Sequence, residues 1–426
     1  MKSVKENRGI TLIALAVTII VILILAGVTI DVTLGQNGIL EKSKEAANRM
    51  NNLVKEDETE LNELLNELNE TMDSNWNSNI EIPEENTIPE PDPEPPKIED
   101  VTDIQDETIQ VEDEYGNKVT IPKGFEVVEE EGTTVPEGIV IQDKVGNQFV
   151  WIPVGRVYKD STGTNYSDIH LGRYTFNTTN GTPTLVQVAY TNENAENYNQ
   201  LININMSDGS DKALEYATRS NPEGTNELNA IAKDLAEFVN SVRKNEGYYL
   251  ARYEASYGSG SSVLDFKPLS KISKTTNFSR WTIGSLWNNV TQTDAAKISR
   301  NMYNNDSSVG VESDLVNSYT WDTAIVFIQA MGNVNYANKL IENSKLLNTG
   351  TTGDEVCNIN DMASNCAEWT TEYSGFVNGG RQYHGVVRGG TYNATVVNYH
   401  TAFRFSQGVS SAGEMSSFRV ICYIKW

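Results

Sequence analysis

The longest pattern in the chain is a stretch without charge: from Ile10 to Ile30 there is no Asp, Glu, Lys or Arg. A helix over that run rises roughly 1.5 Å per residue, about 31 Å in all, enough to cross a bilayer's hydrocarbon core. Lys2, Lys5 and Arg8 precede the run and Asp31 follows it, so the basic end is expected in the cytoplasm and the rest of the chain outside. The pattern predicts a single-pass cell-membrane protein with an extracellular C-terminal domain. From Ile39 to about Met72 the chain is charged, with Leu53, Leu61, Leu64, Leu65 and Leu68 on a rough helical stripe. This predicts a helical stalk over 31–75. Its apolar seam suits either packing within the stalk or self-association.

Six of the twelve prolines fall between Pro83 and Pro96, alternating mainly with acids. Proline fixes φ and like charges repel, so 76–110 reads as an extended acidic linker. Beyond it stand two D-x-x-G-N turns, Asp113 to Asn117 and Asp143 to Asn147, each feeding an apolar run. They predict two hairpins and make 111–148 a small β-hairpin region. Between Thr225 and Lys244, Leu228, Ile231, Ala232, Leu235, Phe238, Val239 and Val242 keep helical spacing, with Thr225 as N-cap and Gly247 as stop. Tyr248–Ser256 reads as a strand, and Trp321–Met331 as a short helix capped by Thr320. The remainder is rich in Gly, Asn, Ser and Tyr and predicts long loops. Residues 157–224 show no strong pattern.

The junction Arg8-Gly9-Ile10-Thr11-Leu12-Ile13 resembles the class III leader of type IV pilins and pseudopilins. That resemblance implies cleavage between Gly9 and Ile10 by a prepilin peptidase, with 1–9 as leader and a methylated new N-terminus. The family carries Glu five residues after the cut, where this chain has Ala14. The carboxylate that pairs with a neighbouring subunit's amine during pilin-like assembly is therefore missing. A plain signal anchor and a cleaved signal peptide compete, although Ala26-Gly27-Val28 is a poor cleavage site.

Composition narrows the function. Lys and Arg number 33 against 58 Asp and Glu, a net charge of −25. Such a surface repels phosphate backbones and argues against nucleic acid as a partner. The three cysteines, Cys357, Cys366 and Cys422, make no disulfide framework. Cys357 and Cys366 form a local disulfide or remain two separate thiols. The three histidines, His170, His384 and His400, lack the close spacing of a zinc or iron site.

Four spaced segments point to one family. Phe149-Val150-Trp151-Ile152-Pro153 looks like its opening strand, and Tyr249-Leu250-Ala251-Arg252-Tyr253-Glu254-Ala255-Ser256 like its Y-E-V-T segment. Asp361-Met362-Ala363-Ser364-Asn365-Cys366-Ala367-Glu368-Trp369-Thr370 looks like D-M-x-G-N-x-W-E-W-T. Val387-Arg388-Gly389-Gly390-Thr391-Tyr392, then Ala402-Phe403-Arg404 and Ser417-Phe418-Arg419-Val420, look like R-G-G-S-W, A-x-R and G-F-R-V. The set resembles the formylglycine-generating-enzyme-like (sulfatase-modifying factor) branch of the C-type lectin fold. It implies an α+β class: a C-type lectin-like domain with long irregular loops over 149–426, preceded by the membrane helix and stalk. Gly389 and Gly390 suit close backbone approach. Arg388, Arg404 and Arg419 read as scaffold, the last two needing buried carboxylate or carbonyl partners, with Glu368 a natural candidate.

The family's oxidases use two cysteines between the R-G-G segment and the closing strand to bind copper. Gly390 to Phe418 contains none, and a soft metal such as Cu(I) needs thiolates. No enzyme activity is expected. Asn365 and Glu368 match family positions that help hold calcium, a hard cation suited by oxygen ligands. Ser364 and Ala367 replace that motif's glycine and tryptophan.

Two functions fit. The first is a membrane-anchored adhesin or receptor that binds a cell-surface or extracellular protein or glycan. Its expected contacts are Tyr392, Asn393, Thr395, Val397, Asn398, Tyr399, His400, Phe405 and Gln407, aromatic and amide groups that give adaptable contacts at low entropy cost. The same stretch resembles the variable region of proteins diversified by retroelements. The alternative is a minor pilin or pseudopilin of a surface filament. If the leader is processed, N-terminal mass spectrometry of the membrane-extracted protein should find a peptide starting at Ile10. An intact Met1 start would refute it.

Overall fold

A computed structural model describes residues 95–189, 232–303, 305–375, 384–394 and 399–425, and the backbone alone of residues 202–203, 212–214, 377–378 and 381–382. The chain divides into two units, Met1–Pro91 and Asp92–Trp426, and every described residue belongs to the second.

Two six-stranded sheets organise this unit. Numbering only their main strands, the first holds β1 (Phe125–Val127), β2 (Val140–Asp143), β3 (Gln148–Pro153), β4 (Gly247–Ala251), β5 (Val311–Leu315) and β10 (Val420–Ile424). Their order is β5-β10-β4-β3-β2-β1, antiparallel throughout. The second holds β6 (Ala367–Ser374), β7 (Gly385–Arg388), β8 (Arg404–Gln407) and β9 (Ser416–Phe418). β6, β7 and β8 run antiparallel in that order. β9 lies parallel on the other side of β6, where Lys212–Leu214 and Ile202–Asn203 continue the sheet.

A single residue, Arg419, separates β9 from β10, so the chain passes from one sheet to the other across it. The join is stitched by backbone: Ala255 N donates to Phe418 O at 2.9 Å, and Val316 N to Arg419 O at 3.2 Å. The Arg419 side chain is fully buried. Its guanidinium donates to both Glu368 oxygens, at 2.7 and 2.9 Å, and to the carbonyls of Ala251, Arg252 and Asn360 at 2.7–3.1 Å.

Three short helices complete the core. α1 (Leu235–Asn245) buries Leu235, Phe238, Val239 and Val242, one face of a 3.6-residue period. Phe238 meets Tyr248 and Tyr423 edge-on at 5.8 and 5.6 Å. α2 (Gln292–Asn301) is capped by Thr291, whose side chain accepts from Asp294 N. α3 (Ser318–Ala330) is buried around its whole circumference from Ser318 to Ile328 and lies inside the core. Tyr248 OH donates to Thr320 O at 2.6 Å and Trp321 Nε1 to Thr401 O at 2.9 Å, tying α3 to both halves of the domain.

Both D-x-x-G-N segments form hairpin turns with the same bonding. One Asp oxygen accepts two backbone N–H groups of its turn, and the other accepts the Asn side-chain amide. The first turn joins Ile109–Glu112 to Lys118–Ile121 and the second joins β2 to β3.

Several expectations change. The expected α+β, lectin-like fold with its membrane helix and stalk is corrected to a mostly β architecture with three short helices among the described residues. Periodicity missed many strands because they are covered on both faces; all eight residues of β6 and all five of β10 are buried, so neither alternates. The expected membrane helix over 10–30, the stalk over 31–75 and the processing residues Gly9 and Ile10 lie outside the described residues. Among the described residues no helix is long and apolar enough to cross a membrane; α3, with 13 residues, spans only about 20 Å. Residues 97–110, expected to end the linker, pack onto the domain instead: Ile98 and Val101 are buried and Val127 N donates to Val101 O. Helix α1 is capped by Asp234, and residues 225–231 are outside the described set. Helix α3 starts earlier than expected because Asn317, not Thr320, accepts the N-terminal N–H. The described residues up to Ala189 in the segment without pattern form the hairpins Gly155–Tyr158/Tyr166–Ile169 and Gly172–Phe176/Pro183–Val188. All three cysteines are free.

Arg419 gives a direct test of the inter-sheet join. Arg419→Ala leaves the Glu368 carboxylate buried without its cation, and such a loss costs about 3–5 kcal/mol. Urea unfolding should show that drop; a loss below about 1 kcal/mol, the scale of an exposed pair, would mean the join is held elsewhere.

Candidate ligand pocket and the ion cluster beneath it

Strand alternation divides β8 into two chemistries. Successive side chains point to opposite faces, so Arg404 and Ser406 turn inward while Phe405 and Gln407 turn outward beside Val387 and Gly385 of β7. Outward lies a pocket of about 520 Å³. Ala367 and Val387 form its floor, and Tyr399, Phe403 and Phe405 its aromatic wall. Phe403 and Phe405 stack at 6.2 Å with planes 10° apart, and Tyr399 lies 4.8 Å from Phe403. Thr391, Asn393, Gln407 and Ser416 supply polar groups, and the half-exposed Met415 closes one side. No charged side chain is among the described lining residues.

The Gly389-Gly390 pair sets the mouth. Gly389 has φ +85°, and a Cβ there would come within 2.6 Å of Met362 O; at Gly390 the clash would be with Ala363 O, also at 2.6 Å. Only glycine lets this strand end approach the Asp361–Cys366 segment so closely. Tyr392 N then donates to Asn365 O at 2.8 Å, fixing the start of the loop.

Inward lies a cluster of five buried ionic groups: Arg173, Asp322, Glu372, Arg388 and Arg404. Arg388 bridges Asp322 at 2.6 Å and Glu372 at 3.3 Å. Arg404 likewise pairs with Glu372 at 2.9 Å and with Asp322, and Arg173 joins Glu372 at 2.8 Å. Asp322 also accepts from Tyr174 N at 2.9 Å. Burial alone would raise the Glu372 pKa, but the guanidiniums of Arg404, Arg388 and Arg173 outweigh it and hold it at about 2. Burial and the nearby Arg404 lower that of Arg388.

A second buried group lies beneath Asn365. Glu254 accepts from Asn365 Nδ2 and from Cys366 N. Burial first, then the neighbouring Asp361 and Glu368, push its pKa well up. The expected calcium ligands are both engaged by protein: Asn365 Oδ1 accepts from Leu347 N, its Nδ2 donates to Glu254, and both Glu368 oxygens face Arg419. Among the described residues no group of three or more His, Cys, Asp or Glu could hold a metal ion.

Of the residues expected to bind, Asn393, Tyr399, Phe405 and Gln407 line the pocket. Tyr392 stands beside it, its hydroxyl donating to Glu414 at 3.2 Å. His400 turns away: its Nδ1 lies 2.8 Å from Ala337 O, its ring packs on Phe403, and burial pushes its pKa down. Thr395, Val397 and Asn398 lie outside the described residues. Phe403 and Thr391 went unrecognised. Phe403 stands two before Phe405, so strand alternation alone would have placed it on the same side; Met415 carries no such signal.

The ion cluster sets a pH dependence. The Glu372 pKa of about 2 lies below its ordinary 4.5. Its contribution is therefore full above pH 4.5 and lost as pH falls toward 2. Urea titrations should show that loss in the parent and a flatter profile in Glu372→Gln; parallel profiles would contradict the assignment. No protein-family model, curated protein or solved structure matches the chain.

Proposed function

We propose that this protein is an exported binding module that captures an uncharged ligand in the Tyr399–Phe405 pocket. The observation that carries this reading is the division of β8: an ion-locked inner face holds rigid an outer face made only of aromatic, apolar, amide and hydroxyl groups. The volume of about 520 Å³ falls within the range of small-ligand sites. Aromatic faces stack on apolar surfaces, while Asn393 and Gln407 offer donors and acceptors to hydroxyls or amides. A neutral glycan or a peptide side chain on a cell-surface or extracellular partner meets both demands. The described lining residues supply no nucleophile paired with a base, which favours a reading of binding over catalysis. The lack of cysteine between Gly390 and Phe418 agrees, since the copper oxidation of the resembling family needs two there. Export rests on the Arg8-Gly9-Ile10 leader and the uncharged run behind it.

The test is loss of capture without loss of fold. Tyr399→Ala, Phe405→Ala and Gln407→Ala combined should weaken binding to a glycan-array or surface-extract ligand by at least about tenfold, since central truncations cost roughly 1–3 kcal/mol each. The melting temperature should stay nearly unchanged. Normal binding by the triple variant would move the site elsewhere.

A further inference from the structure

A separate face of the domain carries the opposite chemistry. Residues 262–284 lie between β4 and α2. They hold four cations, Lys267, Lys271, Lys274 and Arg280, against one acid, Asp265, in a chain of net charge −25. The segment also exposes large apolar side chains: Trp281 is 88% exposed, Leu264 82% and Ile283 57%. Clustered exposure of this kind marks an interaction surface.

The fold gathers these groups with others. One cleft of about 640 Å³ is lined by Ile283 and Lys267 together with Ile104, Lys123, Lys144 and Val145. The Lys271 ammonium donates to Val145 O. Lys274 lies against Gly284, and Arg280 sits over the Phe266 ring at 5.2 Å. Three acids line the same cleft. Asp143 is buried and held by its turn and by Tyr303, Asp306 accepts from Ser308, and only Asp106 is exposed without such a partner. In the cleft these acids balance Lys123, Lys144 and Lys267; the excess of cations belongs to residues 262–284, the same segment that exposes Trp281, Leu264 and Ile283.

We propose that this face docks on the surface of an anionic lipid bilayer. Trp281, Leu264 and Ile283 enter the interfacial layer, where tryptophan is favoured. Lys144, Lys267, Lys274 and Arg280 pair with headgroup phosphates, an attraction that salt screens. The two halves of the surface answer the two halves of the ligand: an anionic polymer would leave the apolar centre unused, and a neutral membrane would leave the cations unused.

The full chain, reconstituted into vesicles, tests this with a local probe, because any other lipid contact of the chain is then irrelevant. An environment-sensitive label on Thr282→Cys, made with Cys357→Ser, sits beside Trp281. Brominated acyl chains should quench it in phosphatidylcholine vesicles containing phosphatidylglycerol, and not in phosphatidylcholine alone. High salt should reverse the quenching. It should be lost with Trp281→Ala plus Leu264→Ala, and separately with Lys267→Glu plus Lys274→Glu. No quenching in anionic vesicles, equal quenching in neutral ones, or persistence in either double variant overturns the proposal. So does displacement by polyphosphate that is insensitive to Trp281→Ala, which would assign the face to a soluble anionic polymer.

Discussion

Five ionised side chains with almost no access to water fix the geometry of the second sheet. Arg173 comes from a hairpin, Asp322 from α3, Glu372 from β6, Arg388 from β7 and Arg404 from β8. None can shift alone, because a buried charge that loses its partner is far costlier than a lost surface pair. A well-packed apolar core would often be as stable. What the ions add is orientation: charge-assisted guanidinium–carboxylate hydrogen bonds have direction where apolar contacts have little. The pocket floor inherits that rigidity, since the same strands present its outer face.

The chain announced its ionic scaffold more clearly than its class. Arg404 and Arg419, flanked by apolar residues, required buried partners, and Arg419 meets the Glu368 singled out as a candidate. Asp322 and Glu372 gave no warning. Asp322 lies inside a helix buried all round and Glu372 inside a strand buried on both faces, and an acid in such a run carries no periodic mark. The same double burial concealed most strands, because period-two alternation exists only where one face meets water. Turn chemistry fared better. The paired Asp and Asn of each D-x-x-G-N segment specify their turns through local hydrogen bonds that need no tertiary context.

The pocket was half legible for a related reason. Tyr399, Phe405, Asn393 and Gln407 stood out by composition in a loop bracketed by scaffold residues. His400 and Tyr392 stood out equally, yet one bonds to Ala337 O and the other to Glu414. Composition identifies which side chains suit recognition. It does not say which of them the backbone has already committed, and that distinction here comes from hydrogen bonds to residues 22 and 63 positions away.

The join at Arg419 also sets a schedule. β10 lies between β4 and β5 and not at an edge, and it pairs across about 170 residues, Tyr249 with Cys422. The first sheet therefore has a gap in its middle until residues 420–424 have been made. Contacts of such long sequence separation form slowly. Every earlier length of the chain lacks the strand that closes the sheet and the arginine that binds it to its neighbour. For a protein synthesised from its N-terminus, neither the first sheet nor its link to the second is complete until the last few residues have been made.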